Sequence, residues 1–334
     1  MLRGRIELPR LASRLLRGNV LGDPDEREVL VYLPPSYDAS SRRYPVIVVL
    51  PPYGAGHRTF LNYKLWEPDL FERYEALLAR GETREAILVV PDCMTRWGGS
   101  QFIDSPAMGP YQTYLVDEVL PFVDGRYRTL AAREGRGVVG RSSGGFGALR
   151  LALDRPEVFA AYASHAGDAA FEVSLRPSFT SVSITLDRAG GVEAFLARFA
   201  QLGPTGGGDF EAIMTICCAA AYAPEPDAPL PHAALPVDLR TATLRPDVWE
   251  RWLAHDPLVR IDRDPDALRT ATLVFLDAGD RDEHGLHFAA RLMAERLRDR
   301  GARLVHEEFP GGHRGTAHRY DRSLPLLLGV LADD

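Results

Sequence analysis

The chain has 334 residues, with 39 basic and 46 acidic side chains and a net charge of −7 when histidine is neutral. A chain of this length with 46% hydrophobic and 25% charged residues folds around its own core without disulfide staples. The acidic balance excludes a basic nucleic-acid-binding surface, and no apolar run approaches the roughly 18 residues that span a bilayer, so neither nucleic acid nor membrane is expected as a partner.

The opening Met1–Pro9 carries charge but no signal-peptide apolar core, and the expected location is cytoplasmic. Cys93 stands alone and Cys217 and Cys218 are adjacent, which is not a disulfide framework. Residues 28–33 and 45–50 read as buried strands joined by a Ser/Asp-rich turn, the start of an antiparallel edge. A helix is predicted over 68–80, a strand over 86–90 and a helix over 111–124. Strand 136–140 leads into helix 144–154 and then strand 160–164. Residues 169–256 break the rhythm, with helical patterns at 191–202, 209–222 and 246–254 around a Gly203–Gly208 turn and the Pro-rich stretch 224–236. That glycine run lacks the lysine of a phosphate-binding loop. Strand 271–277, helix 284–300, strand 303–309 and helix 321–332 complete the chain. In helix 284–300, Leu286, Ala289, Ala290, Met293 and Leu297 share one face, and Gly301 stops it. Alternating strands and helices predict an α/β fold, a mostly parallel sheet covered on both faces. One domain over 1–334 is expected, with 169–256 as a lid-like helical insertion.

The strongest chemical signal is Gly140-Arg141-Ser142-Ser143-Gly144 between strand 136–140 and helix 144–154. There a G-x-S-x-G sequence forms a nucleophile elbow, the glycines allowing a turn too tight for larger side chains. Ser142 is the candidate nucleophile; Ser143 is off-centre, but its amide can bind an oxyanion. A serine needs a base, and the base an orienting acid. His313 follows strand 303–309 through Pro310-Gly311-Gly312, at the strand end where a base is delivered. Of the acids after strand 271–277, Asp277 belongs to the strand, and Asp282, just past the turn, is favoured over Asp280 within it. Pro51 and Pro52 have no N–H, so Tyr53 is the first possible second oxyanion donor after strand 45–50. Trp97, Gln101 and Phe102, in the loop after strand 86–90, are candidates to line a substrate pocket, with burial of Trp97 beneath the insertion as the alternative. His165 reads as a packed histidine. His284 and His287 lie near Asp282 and Glu283, but no H-E-x-x-H pattern exists and no metal is expected.

These residues together resemble the putative esterase family of α/β-hydrolases, which includes esterase D, enterochelin-esterase-like proteins and feruloyl esterase domains. The likeness runs through Val31–Tyr37, Val89–Asp92, Gly98–Phe102, Asp117–Asp124, the elbow and Pro310–His313. It implies an α/β-hydrolase fold, with Ser142 as nucleophile, Asp282 as acid, His313 as base and the Tyr53 and Ser143 amides as oxyanion hole. Where relatives carry His-Gly before the oxyanion residue, this chain has Pro51-Pro52. The implied activity is hydrolysis of a small-molecule carboxylic ester through an acyl-enzyme, with no cofactor. An acyltransferase using the same residues, or a non-catalytic binding protein on the same fold, are the alternatives. Association into a homo-oligomer stays open.

Overall fold

A computed structural model describes residues 2–62, 64–264, 266 and 268–334. Its centre is a nine-stranded sheet. The strands are β1 Arg5–Glu7, β2 Arg10–Ala12, β3 Glu26–Leu33, β4 Val46–Leu50, β5 Ile87–Pro91, β6 Arg136–Arg141, β7 Ala161–His165, β8 Leu273–Gly279 and β9 Leu304–Phe309. They lie in the order β1-β3-β5-β4-β6-β7-β8-β9, with β2 beside β3. From β5 to β9 every neighbour is parallel, whereas β1 and β2 pair antiparallel with β3, and β3 with β5.

The antiparallel edge therefore forms, but strand 45–50 is not part of it. β4 runs parallel between β5 and β6, with all five residues buried. Its unbroken Val46-Ile47-Val48-Val49-Leu50 run suits a strand covered on both faces. Alternate residues serve two cores. Val46, Val48 and Leu50 join Phe146 and the buried stripe Leu286, Ala289, Met293 and Leu297 on one side. Ile47 and Val49 meet Phe71, Tyr74, Leu324 and Leu327 on the other. Each such fully buried aliphatic side chain contributes about 2 kcal/mol.

Helices Ser143–Asp154 and Leu286–Asp299 cover the first face, and helices Leu70–Ala79 and Tyr320–Val330 the second. The predicted helix 111–124 is found as a continuous run to Arg126 with a wider π-turn at Tyr114–Val119. Pro121 has no amide to bond Asp117, which removes one ordinary turn there. Between β7 and β8 lie helices Phe179–Arg188, Val192–Leu202, Asp209–Tyr222, Pro246–Leu253 and Pro257–Arg263. The edge strand β9 carries Glu307 and Glu308, paired with Arg319 and Arg322 and with Arg291, charges that discourage further strand pairing. No helix among the described residues is long and apolar enough to cross a membrane.

Because β4, β6, β7, β8 and β9 are parallel, their carboxyl ends lie along one edge of the sheet. The loops beginning at residues 51, 142, 166, 280 and 310 converge there.

Candidate active site

β6 passes into helix Ser143–Asp154 through one residue, Ser142, held at φ +56° and ψ −124°. For a residue with a Cβ this costs about 1–3 kcal/mol, and surrounding bonds must over-determine it. The Ser142 amide donates to the His165 carbonyl at 2.8 Å, and its carbonyl accepts from Phe146 N at 2.9 Å. The flanking glycines leave no room: a Cβ on Gly140 would sit 2.1 Å from the Gly144 oxygen, and one on Gly144 2.1 Å from the Leu50 oxygen.

His313, in the loop after β9, places Nε2 3.0 Å from Ser142 Oγ and Nδ1 2.8 Å from Asp282 Oδ2. The serine hydroxyl can donate to Nε2 while Nδ1–H donates to the carboxylate. Asp282 is buried, and its Oδ1 accepts from the His284 amide at 2.9 Å and from Leu286 N at 3.4 Å. Burial alone would raise its pKa; the hydrogen bond and charge of His313, with those amides, outweigh it and hold the carboxyl below its ordinary range. Asp280 faces away, accepting from the Gly311 amide at 3.0 Å. Glu283 accepts from the His313 amide at 2.7 Å. The acids flanking Asp282 thus tie down the loop that carries the histidine. Arg141 adds a third tie, donating to the His313 carbonyl at 3.2 Å and to Thr316 Oγ1 at 3.3 Å. His284 stands edge-on to His313 at 4.9 Å, and burial followed by the charge of His313 lowers its pKa.

Ser143, as the first helical residue, has one of the leading amides that find no partner inside a helix. No acceptor for the Tyr53 amide is found among the described residues. The loop carrying Tyr53 is fixed by Gly54 N to Gly98 O at 2.7 Å and by its phenol donating to the Trp97 carbonyl. Tyr53 lines the same cavity as Ser142, and Ser143 follows Ser142 directly in the chain.

An open cavity of about 310 Å³ contains Ser142 and His313; its walls include Tyr53, Asp168, Leu175, Phe210, Met214 and Arg314. Trp97, Gln101 and Phe102 are not on those walls. All three are buried, Gln101 donating to Cys218 Sγ at 2.9 Å and Phe102 lying against Gly147, where a Cβ would be 2.6 Å from its ring. Gln101 and Phe102 border only a narrow gap of about 10 Å³ behind Tyr53. Pocket side chains come instead from Asp168, Ser174 and Leu175 and from Phe210 and Met214 of helix Asp209–Tyr222, within or beside the lid-like insertion. The usable signal was positional, since the loop after β7 opens on the same sheet edge as the elbow.

His165 is buried, bonded to Asp277 at 2.7 Å and to Ser323 at 2.8 Å, with Arg319 on the other Asp277 oxygen. The three cysteines are free and buried. Among the described residues no group of three or more His, Cys, Asp or Glu side chains is arranged to hold a metal ion.

Residues 23–325 match the sequence model of the putative esterase family. An esterase of Mycobacterium tuberculosis strain H37Rv is 33% identical over 177 residues, 49% of this chain and 34% of its own. The chain thus spans about a third of the length of that relative. A ferulic acid esterase superposes with a TM-score of 0.63 at 19% identity, over 99% of this chain and 100% of the other. An S-formylglutathione hydrolase from Agrobacterium tumefaciens gives 0.58 at 16%, over 99% and 97%. These likenesses to solved structures show the α/β-hydrolase fold.

Proposed function

The chain belongs to the putative esterase family, and from that premise we propose that it is a serine carboxylic-ester hydrolase working through an acyl-enzyme on Ser142. The observation that carries the reading is the unbroken hydrogen-bonded line Ser142–His313–Asp282 beside the unpaired Tyr53 and Ser143 amides. In acylation, Ser142 Oγ attacks the ester carbonyl carbon as its proton passes to His313 Nε2. The carbonyl oxygen becomes an oxyanion, and the two amides stabilise it more than they do the planar ester. Asp282 holds the imidazole in the tautomer that accepts at Nε2 and stabilises the imidazolium. Collapse breaks the bond to the leaving alcohol, which takes the proton from His313. Water then gives a proton to His313 and attacks the acyl carbon; the second collapse frees the acid and returns the proton to Ser142.

All proton transfers use the chain's own side chains, so the cycle needs no cofactor. The substrate class is small-molecule esters. The ferulic acid esterase and S-formylglutathione hydrolase among the structural neighbours make aryl-propenoyl esters and acyl thioesters the first to assay. The test is turnover of a short-chain para-nitrophenyl ester by the wild type and by Ser142→Ala. The proposal expects a loss on the order of a million-fold; retained turnover in the variant would overturn it.

A further inference from the structure

Among the described residues six acidic side chains are buried: Glu118, Asp168, Asp209, Asp256, Asp277 and Asp282. Five are satisfied within the protein. Glu118 accepts from Ser13 and the Arg14 amide, and Asp209 from Arg198 and Thr205. Asp256 takes the Ala170, Phe171 and Leu258 amides. Asp277 is held by His165 and Arg319, and Asp282 by His313 and two amides. Asp168 is the exception. It is 4% exposed, and its Oδ2 has no hydrogen-bond partner among the described residues.

Asp168 borders the cavity that holds Ser142 and His313. It follows β7, whose last residue, His165, bonds the elbow backbone, so its position relative to the serine is set by the sheet. Burial pushes its pKa up to about 6, with the charge of His313 pulling down and that of Asp282 pushing up. It is thus an anion at neutral pH, and a desolvated anion requires a compensating charge. No side chain among the described residues bonds its Oδ2, and the charge of His313 acts on it only through space. Arg141 is bonded to the His313 carbonyl and Thr316, Arg314 is exposed, and burial lowers the pKa of His284. Leu175, Phe210 and Met214 give part of the wall, shared with Arg141, Ser174, His284 and Arg314, an apolar surface suited to an alkyl spacer. A hydroxyl would fill one lone pair and leave the charge, whereas a primary ammonium supplies both proton and charge.

We propose that Asp168 is a specificity site for a protonated amine on the substrate, so that the preferred esters carry an alkylammonium arm reaching the part of the cavity wall that Asp168 forms. This rests on the serine-esterase reading. The experiment compares para-nitrophenyl esters differing only by NH3+ in place of CH3: β-alanyl against butanoyl, and 6-aminohexanoyl against heptanoyl. Wild type and Asp168→Asn are assayed, and the amino-to-alkyl ratio of kcat/KM is read, so any general change in rate cancels. The ratio should fall on the order of tenfold or more in the variant, for at least one length. An unchanged ratio at both lengths would overturn the proposal. Cleavage of the alkyl esters, and its loss in Ser142→Ala, reports on the esterase reading separately. Calorimetric binding of hexylammonium against hexan-1-ol needs no turnover: wild type should favour the ammonium and Asp168→Asn should not, and equal binding by the wild type would refute the site.

Discussion

Asp168→Asn should stabilise the folded protein at neutral and alkaline pH and leave it little changed in acid. The folded carboxyl titrates at about 6, against an ordinary value of 3.8. Below the ordinary value it is protonated in both the folded and unfolded chain, and burial costs nothing. Between the two values the unfolded chain releases the proton more readily, so stability falls as pH rises; above about 6 the penalty is complete. An interval of roughly two pH units at about 1.4 kcal/mol each makes that penalty about 3 kcal/mol. Asparagine has nearly the same shape and no charge to desolvate. Urea unfolding of both proteins from pH 4 to pH 8, read by intrinsic fluorescence, should show the variant gaining on the wild type by about this amount, mostly by pH 7. A gap independent of pH, or a wild type that is the more stable at pH 8, would refute the reasoning. A residue whose removal stabilises the protein is one retained for something other than folding.

Asp282→Asn should fold normally and lose about ten-thousand-fold in kcat, because the imidazole loses its orienting acceptor; Asp280→Asn, altering one exposed bond to Gly311, should keep nearly full turnover, and kinetics on one ester decides between them. Gly144→Ala should fail to give soluble folded protein, since its Cβ would meet the Leu50 backbone at 2.1 Å, which circular dichroism and expression yield would report. Asp277→Ala should cost about 3 kcal/mol by urea denaturation, leaving Arg319 and His165 without their shared carboxylate.

What could be read in advance followed physical regularity. The long apolar runs at 86–90, 136–140 and 271–277 appear within two residues of their predicted bounds, since each is an interior strand of the sheet buried on both faces. The grouping of Ser142, Asp282 and His313 was legible too, each following a parallel strand. β1 and β2 were not read, being three residues each with no apolar alternation. Helix Phe179–Arg188 was missed because Thr180, Val182, Ile184 and Thr185 are β-branched and disfavour a helix locally; packing of Phe179, Val182 and Leu186 in the core overrides that preference. Strand order was hidden as well, because nothing local says that 28–33 pairs with 87–91 and not with 45–50. Aromatic residues after a strand serve a wall or a core equally well, so the sequence alone does not separate the two for Trp97 and Phe102, which are buried. Asp168 carries no signal of its own in the sequence, and only burial without a partner for Oδ2 sets it apart.

Labelling of the nucleophile tests the account most directly. The protein is treated with an alkyl fluorophosphonate, digested, and the modified residue located by tandem mass spectrometry. A single adduct on Ser142, absent in Ser142→Ala and much slower to form in His313→Ala, is the predicted result. An adduct on Ser143, or an unlabelled wild type that still hydrolyses esters, would contradict it.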